Sequence, residues 1–195
     1  FRIQHSESRF VIVSGQQLPK IRRIISQLDC VEKVIVLDNI PAANAKEVSM
    51  EWVQALGDSY LFGHKAEFEE RYKSVKPDDY ATISYTSGTT ADPKGVLLTH
   101  RNYTANVEQA HSVIGVKPDS TMLIILPLDH CFAHVAGFYT MMSYCSSIAT
   151  VPVGANPLAT LRNIPIAIKE VRPHVMLSVP ALARNFKKNV ETTIH

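Results

Sequence analysis

Short runs of β-branched and other apolar residues alternate along the chain with segments whose apolar positions recur every three or four residues. Phe10-Val11-Ile12-Val13 is the first such run and reads as a buried strand. From Gln16 to Leu28 the residues Leu18, Ile21, Ile24, Ile25 and Leu28 fall on one helical face, with Lys20, Arg22, Arg23 and Gln27 elsewhere. Pro19 sits in the first turn of that helix, where its missing N–H costs nothing. Val34-Ile35-Val36-Leu37 is a second buried strand, closed by Asp38-Asn39. Strand, helix and strand in this order predict a parallel βαβ unit with a right-handed crossover.

Between Pro41 and Pro77 the pattern weakens. Ser49 is placed to cap a short helix carrying Met50, Val53 and Leu56. A second helix is expected through Glu67 to Tyr72, with Glu67, Glu69, Glu70, Arg71 and Lys73 as a solvated face. Beyond Asp79 the alternation resumes. Strands are expected over 81–85, 121–126, 147–153 and 174–179, and helices over 101–114, 133–144, 158–171 and 181–190. This order predicts an α/β domain, a layered and mostly parallel β-sheet flanked by helices. It divides into an initial βαβ unit with a helical connection (1–78) and a strand with the α/β units that follow it (79–195). No repeat of fixed period and no low-complexity tract interrupts the alternation.

The chain has 195 residues, of which 46% are hydrophobic. A body of this size removes roughly 70% of its unfolded surface from water, so an ordinary globular core is expected. Lys plus Arg number 20 against 18 for Asp plus Glu, a net charge of +2. That balance argues against a nucleic-acid binder but leaves room for a small phosphorylated ligand. Cys30, Cys131 and Cys145 form no CxxC pair and are too few for a disulfide scaffold. They fit a reducing compartment, so a cytoplasmic location is expected. The greasiest run, Met122 to Leu126, is strand-length and stops at Pro127. Phe1 is not an initiator methionine and no signal core follows it, so the chain is expected to begin inside a larger protein.

One segment stands apart, Tyr85-Thr86-Ser87-Gly88-Thr89-Thr90-Ala91-Asp92-Pro93-Lys94-Gly95-Val96. Hydroxyl residues crowd its first half, glycines bracket it and a lysine stands near its end. Gly88 removes the Cβ that would hold a ligand off the backbone. The hydroxyls of Thr86, Ser87, Thr89 and Thr90 are donors for phosphate oxygens, and Lys94 supplies a mobile positive charge. Composition alone fits a polar turn between two strands equally well. A Walker A loop is excluded, because Pro93 follows Gly88 at the position a second glycine would need, and Gly95 follows the lysine instead of preceding it.

The same residues closely resemble the AMP-binding signature of the adenylate-forming superfamily, which includes acyl-CoA synthetases, peptide-synthetase adenylation domains and luciferases. The likeness continues through Leu98-Thr99-His100-Arg101-Asn102. The resemblance implies that Thr86, Ser87, Gly88, Thr89, Thr90 and Lys94 bind the β- and γ-phosphates of ATP. Ala91 stands where the family usually has glycine, which removes freedom to adopt positive φ there.

Leu126-Pro127-Leu128-Asp129-His130-Cys131-Phe132-Ala133-His134 resembles the family's Leu-Pro-Leu-x-His segment, and by that match His130 belongs to the acyl-substrate site. His130 and His134 are also spaced i, i+4, as metal ligands on a helix can be, but no Glu or Asp follows at suitable spacing, and no metal site is expected. No Gly-x-Ser-x-Gly elbow is present, and no catalytic residue is assigned within this chain. A third stretch, Val171 to Leu182, with Arg184, Asn185 and Phe186 after it, is similar to the long-chain fatty-acyl branch, although most of these residues also read as core strand and helix.

The resemblance implies a fragment of the large N-terminal domain of such an enzyme, lacking the adenine- and ribose-binding segments and the C-terminal domain with its lysine. The full-length protein would convert a carboxylic acid, of the long-chain fatty type, to acyl-AMP and then acyl-CoA. Its co-substrates would be ATP and coenzyme A, with Mg²⁺ held by a ligand outside this chain. Peripheral membrane association of that protein fits fatty substrates. The fragment alone is expected to be inactive. The competing expectation is a non-catalytic nucleotide- or acyl-binding module that uses the same loop.

Overall fold

The computed structural model describes residues 1–86, 93–128, 130–180, 182–184 and 186–188. Its contacts divide into two units, Phe1–Lys76 with Tyr85–Gly95, and Pro77–Ser84 with Val96–His195.

In the first unit a short helix α1 (Arg2–His5) precedes strand β1 (Phe10–Val13). Helix α2 (Leu18–Ile24) carries Pro19 in its first turn and gives way to a 3₁₀ turn at Ile25–Gln27. The expected helix is therefore shortened, and Leu28 and Val31 are buried just beyond the tighter turn. Strand β2 (Lys33–Val36) pairs parallel with β1, Val11 opposite Val34. The expected βαβ unit is present, with Val13, Leu18, Leu28, Val31, Val34 and Val36 as its core.

Strand β3 (Glu47–Ser49), not anticipated from the sequence, pairs parallel with β2 and completes the order β1-β2-β3. It brings a carboxylate into the interior, for the Glu47 side chain is 2% exposed. Arg22 meets that carboxylate with Nε to Oε1 at 2.9 Å and Nη2 to Oε2 at 2.7 Å. The Ala43 N–H and Asn44 Nδ2 donate to it at 2.8 Å each. Arg22 also donates to the Pro41 carbonyl at 3.1 Å, so one ion pair ties α2 to the connection between β2 and β3. These donors, Arg22 first, hold the Glu47 carboxyl below the usual carboxylate range.

Ser49 caps the next helix as expected, its Oγ accepting from the Trp52 N–H at 3.1 Å. The two helices expected here are one, α3 (Met50–Lys73), bent at His64, where φ is −129° and ψ is 26°. The His64 ring stacks on Tyr60 at 4.2 Å, and its Nδ1 lies 3.0 Å from the Tyr60 carbonyl, the acceptor that the helix backbone would use. Ion pairs at i, i+4, Glu67 with Arg71 and Glu69 with Lys73, support the second half.

Strands β4 (Tyr80–Thr86) and β5 (Lys94–Thr99) form a two-stranded sheet. Only residues 87–93 separate them, so the pair is antiparallel, since parallel neighbours need a crossover of about a dozen residues or more. Helix α4 (His100–Val113) follows at once.

The second unit is built on β6 (Thr121–Ile124), whose Met122 and Leu123 are fully sequestered. A π-helix (Ala133–Tyr139) and helix α5 (Thr140–Ser143) lead to β7 (Ser147–Thr150), and helix α6 (Pro157–Val171) leads to β8 (Val175–Met176). The sheet order is β7-β6-β8, all parallel. The expected strands here end early. β7 stops before Pro152, which has no N–H to give a ladder. Helical residues 182–184 and 186–188 follow β8. Val116, Met122, Ile124 and Met141 form the core, with Phe138, Ile148 and Leu177 against it.

Gly154 precedes α6 in a tight approach. Its N–H donates to Thr160 Oγ1 at 2.9 Å, and a Cβ there would stand 2.8 Å from the backbone of Ala159 and Thr160. Gly154→Ala is expected to destabilise the fold by about 1–3 kcal/mol, read as a lower urea midpoint. An unchanged midpoint would mean that the turn relaxes without cost.

Candidate active site

The segment with the phosphate-loop composition starts and ends on paired strands. Thr86 is the last residue of β4 and Lys94 the first of β5, and both are exposed. Among the described residues Lys94 enters no ion pair. Ser87, Gly88, Thr89 and Thr90 lie outside the described residues, as does Ala91. Just before Thr86, the Tyr85 hydroxyl lies 2.8 Å from His5 Nδ1 and 3.3 Å from the Arg2 carbonyl, so α1 holds the root of the segment. Sequence reasoning gave α1 no role, because four residues show no period.

The strand–helix junction after the segment is locked by local chemistry. Thr99 Oγ1 accepts from the Asn102 N–H at 3.3 Å and Asn102 Oδ1 accepts from the Thr99 N–H at 2.8 Å, a reciprocal cap. Arg101 grips Asp78 with two hydrogen bonds, Nε to Oδ1 at 2.7 Å and Nη2 to Oδ2 at 3.0 Å. The guanidinium holds the Asp78 carboxyl below its ordinary range. The His100 and Arg101 N–H groups donate to the carbonyls of Asp79 and Pro77, which fixes the start of α4 against the approach to β4.

His130 lies in the second unit and is exposed. Its N–H donates to the Pro127 carbonyl at 3.2 Å, and the Phe132 N–H donates to its Nδ1 at 3.2 Å. An accepting Nδ1 leaves the proton of the neutral ring on Nε2, where it can donate to a carboxylate. The next residues, Cys131 and Phe132, line a cleft of about 500 Å³ beside α4, with Leu98, Tyr103, Ala110, Val113, Ile114, Val135 and Ala136 on its walls. Asn102, Asn106 and Gln109 supply its polar edge, and among the described residues no charged side chain lines it. Size and lining suit an apolar ligand.

His134 stacks on Tyr139 at 4.7 Å and packs against Tyr103 at 5.8 Å. Among the described residues no group of three or more His, Cys, Asp or Glu is placed to hold a metal ion. In the stretch 171–182, β8 and Leu177 pack into the second core, and the Thr121 N–H donates to His174 Nδ1 at 3.1 Å. Cys30, Cys131 and Cys145 are all unpaired thiols.

Parallel strands with helices between them give the described residues the α/β layering expected from the sequence. The AMP-binding enzyme family matches residues 1–193, and the chain belongs to that family. A Mycobacterium tuberculosis protein bearing a fatty-acid–CoA ligase name is 28% identical over 180 residues, covering 92% of this chain and 29% of that protein. Long-chain-fatty-acid–CoA ligase 4 of Saccharomyces cerevisiae is 34% identical over 140 residues, 68% of this chain and 19% of the yeast protein. The chain thus spans less than a third of the length of these relatives. The crystal structure of a long-chain-fatty-acid–CoA ligase from Archaeoglobus fulgidus matches 97% of this chain and 34% of its own, with a TM-score of 0.67 at 20% identity, and shares the fold.

Proposed function

We propose that this chain is the central part of the large N-terminal domain of an acid–thiol ligase that activates a long-chain fatty acid. In this reading residues 1–78 form a supporting unit, and residues 79–195 carry the phosphate segment and the acyl site. A carboxylate oxygen of the fatty acid attacks the α-phosphorus of ATP. The new C–O–P linkage is acyl-AMP, and the bond to pyrophosphate breaks. The sulfur of coenzyme A then attacks the activated carbonyl carbon, AMP leaves with the electron pair of the cleaved bond, and the thiol proton passes to solvent.

The residues of this chain serve the first step by charge and placement. Lys94 and the hydroxyl and amide groups of Thr86, Ser87, Gly88, Thr89 and Thr90 neutralise the departing pyrophosphate. His130 donates from Nε2 to the carboxylate, and the acyl tail lies in the cleft that begins at Cys131 and Phe132. Mg²⁺ on the triphosphate would add charge neutralisation, with its protein ligands outside this chain.

The pairing of β4 with β5 carries this reading, because Thr86 ends one strand and Lys94 opens its neighbour, as a single phosphate-binding connection would require. The names of the relatives support the fatty substrate. No described helix is long and apolar enough to cross a membrane. A cytoplasmic protein that visits membranes peripherally fits the free thiols and the substrate.

The test is acid-dependent exchange of pyrophosphate into ATP by the full-length protein across a fatty-acid panel. Exchange with long-chain acids, and none from the isolated chain of 195 residues, is the expected result. Tight ATP binding without exchange for any acid would replace this reading with a non-catalytic binding module.

A further inference from the structure

The phosphate segment leaves β4 at Thr86, and the side chain just before it is tied to the first residues of the chain. Tyr85 and Thr86 are successive residues of one strand, so their side chains leave opposite faces of it. Thr86 is exposed, whereas Tyr85 is half-buried against α1. The Tyr85 hydroxyl lies 2.8 Å from His5 Nδ1, and the two rings meet edge-on, with centroids 5.7 Å apart at 76°. The Arg2 guanidinium stands 6.0 Å from the centre of the Tyr85 ring, and Phe1 stacks on His5 at 5.1 Å.

These contacts have a firm base. Ile3 packs on the first core. Its carbonyl accepts from Ser6 Oγ and from the Ser8 N–H, each at 3.1 Å, which fastens α1 to the turn that enters β1. The two bonds of the Tyr85 hydroxyl also suit each other. A phenol has one proton to give. With that proton donated to the Arg2 carbonyl at 3.3 Å, the oxygen accepts from Nδ1–H of His5. Two points on α1 thus grip one oxygen.

We propose that His5 is a positioning residue for the phosphate segment. Through the Tyr85 hydroxyl it sets the direction in which the chain leaves β4 at Thr86. The inference rests on the proposed use of that segment to hold the phosphates of ATP. Donors aimed at phosphate oxygens act by their preset orientation, and a displacement of about 1 Å removes much of their effect. His5 acts through Tyr85 and makes no contact with the nucleotide.

The test uses the full-length protein and reads KM for ATP, KM for palmitate and the Kd for ATP by calorimetric titration. Tyr85→Phe and His5→Ala should each raise the KM and Kd for ATP by about fivefold, the scale of one hydrogen bond. Adding His5→Ala to Tyr85→Phe should change nothing further, because the same bond is already gone. KM for palmitate should stay at its wild-type value. His5→Asn places an amide N–H where Nδ1–H stands and should restore ATP handling. His5→Gln, whose amide reaches the Nε2 position instead, should not. A contact that only fastens α1 would lower the urea midpoint of the variants and leave KM and Kd for ATP unmoved, and that result would overturn the proposal alone. A wild-type protein that binds ATP but forms no acyl-AMP from any acid would overturn the activation reading, and a Kd for ATP raised by the variants would still support the role of His5. A wild-type protein that binds no ATP would overturn both.

Discussion

Lys94→Ala in the full-length protein is expected to lower acyl-adenylate formation by about a hundredfold or more, while fatty-acid affinity stays near that of the wild type. The reason is position and charge. Lys94 opens β5, exposed and without an ion-pair partner among the described residues. In the proposed reaction, charge on the departing pyrophosphate develops in the transition state, and a cation beside it would act on rate more than on ground-state binding. Lys94→Arg should recover part of the rate, since charge is kept but the compact ammonium is replaced by a planar fork. Pyrophosphate exchange and fatty-acid titration read the two quantities separately. Equal losses in both would mean that the segment is structural.

Glu47→Ala should cost the fold about 2 kcal/mol, since it removes a buried carboxylate that four donor contacts satisfy. The figure lies below that of a fully buried pair because Arg22, left behind, reaches water. Arg22→Ala is expected to do more damage, stranding the carboxylate in an interior it cannot leave. The same ion pair sets a pH dependence. Because the Glu47 carboxyl is held below its unfolded value, its contribution is complete above the ordinary carboxylate pKa of about 4.3. It drains away as pH falls through the lower folded value. Urea unfolding of wild type and Glu47→Gln between neutral and acid pH should therefore converge at the acid end. Parallel curves down to the lowest pH would show that the ion pair contributes nothing.

The parts of the fold that were legible are those where one face is buried and the period is clean. Val34 and Val36 alternate into the core, and Leu18, Ile21 and Ile25 recur on the buried side of their helix. Strand β3 was hidden because its inward residue is Glu47, and a carboxylate reads as surface until Arg22 is brought to it by the crossover. Strand β5 escaped because Lys94 to Leu97 are all exposed, so no alternation marks them. The bend in α3 looked like a gap between helices, when a stacked ring at His64 keeps the two halves joined.

For the site, composition pointed to the hydroxyl-rich segment and the family resemblance to His130, and the structure supplies the strands at the ends of the one and the backbone donor to Nδ1 of the other. The tie between His5 and Tyr85 was not legible. A histidine in so short a helix carries no mark of the strand it meets, and Tyr85 is distant in sequence.

The widened turn between Ala133 and Tyr139 makes this region sensitive to chain length itself. Seven residues at the wider π pitch turn the chain through nearly the angle that six turn in an α-helix, so losing one residue there would let the segment tighten with its flanking turns almost in phase. The stacking of His134 on Tyr139, five residues apart, would then be lost, since an α-helix brings together residues three and four apart. Proteins that share this strand order but are one residue shorter at this place should carry a differently shaped recess, whatever side chains they keep.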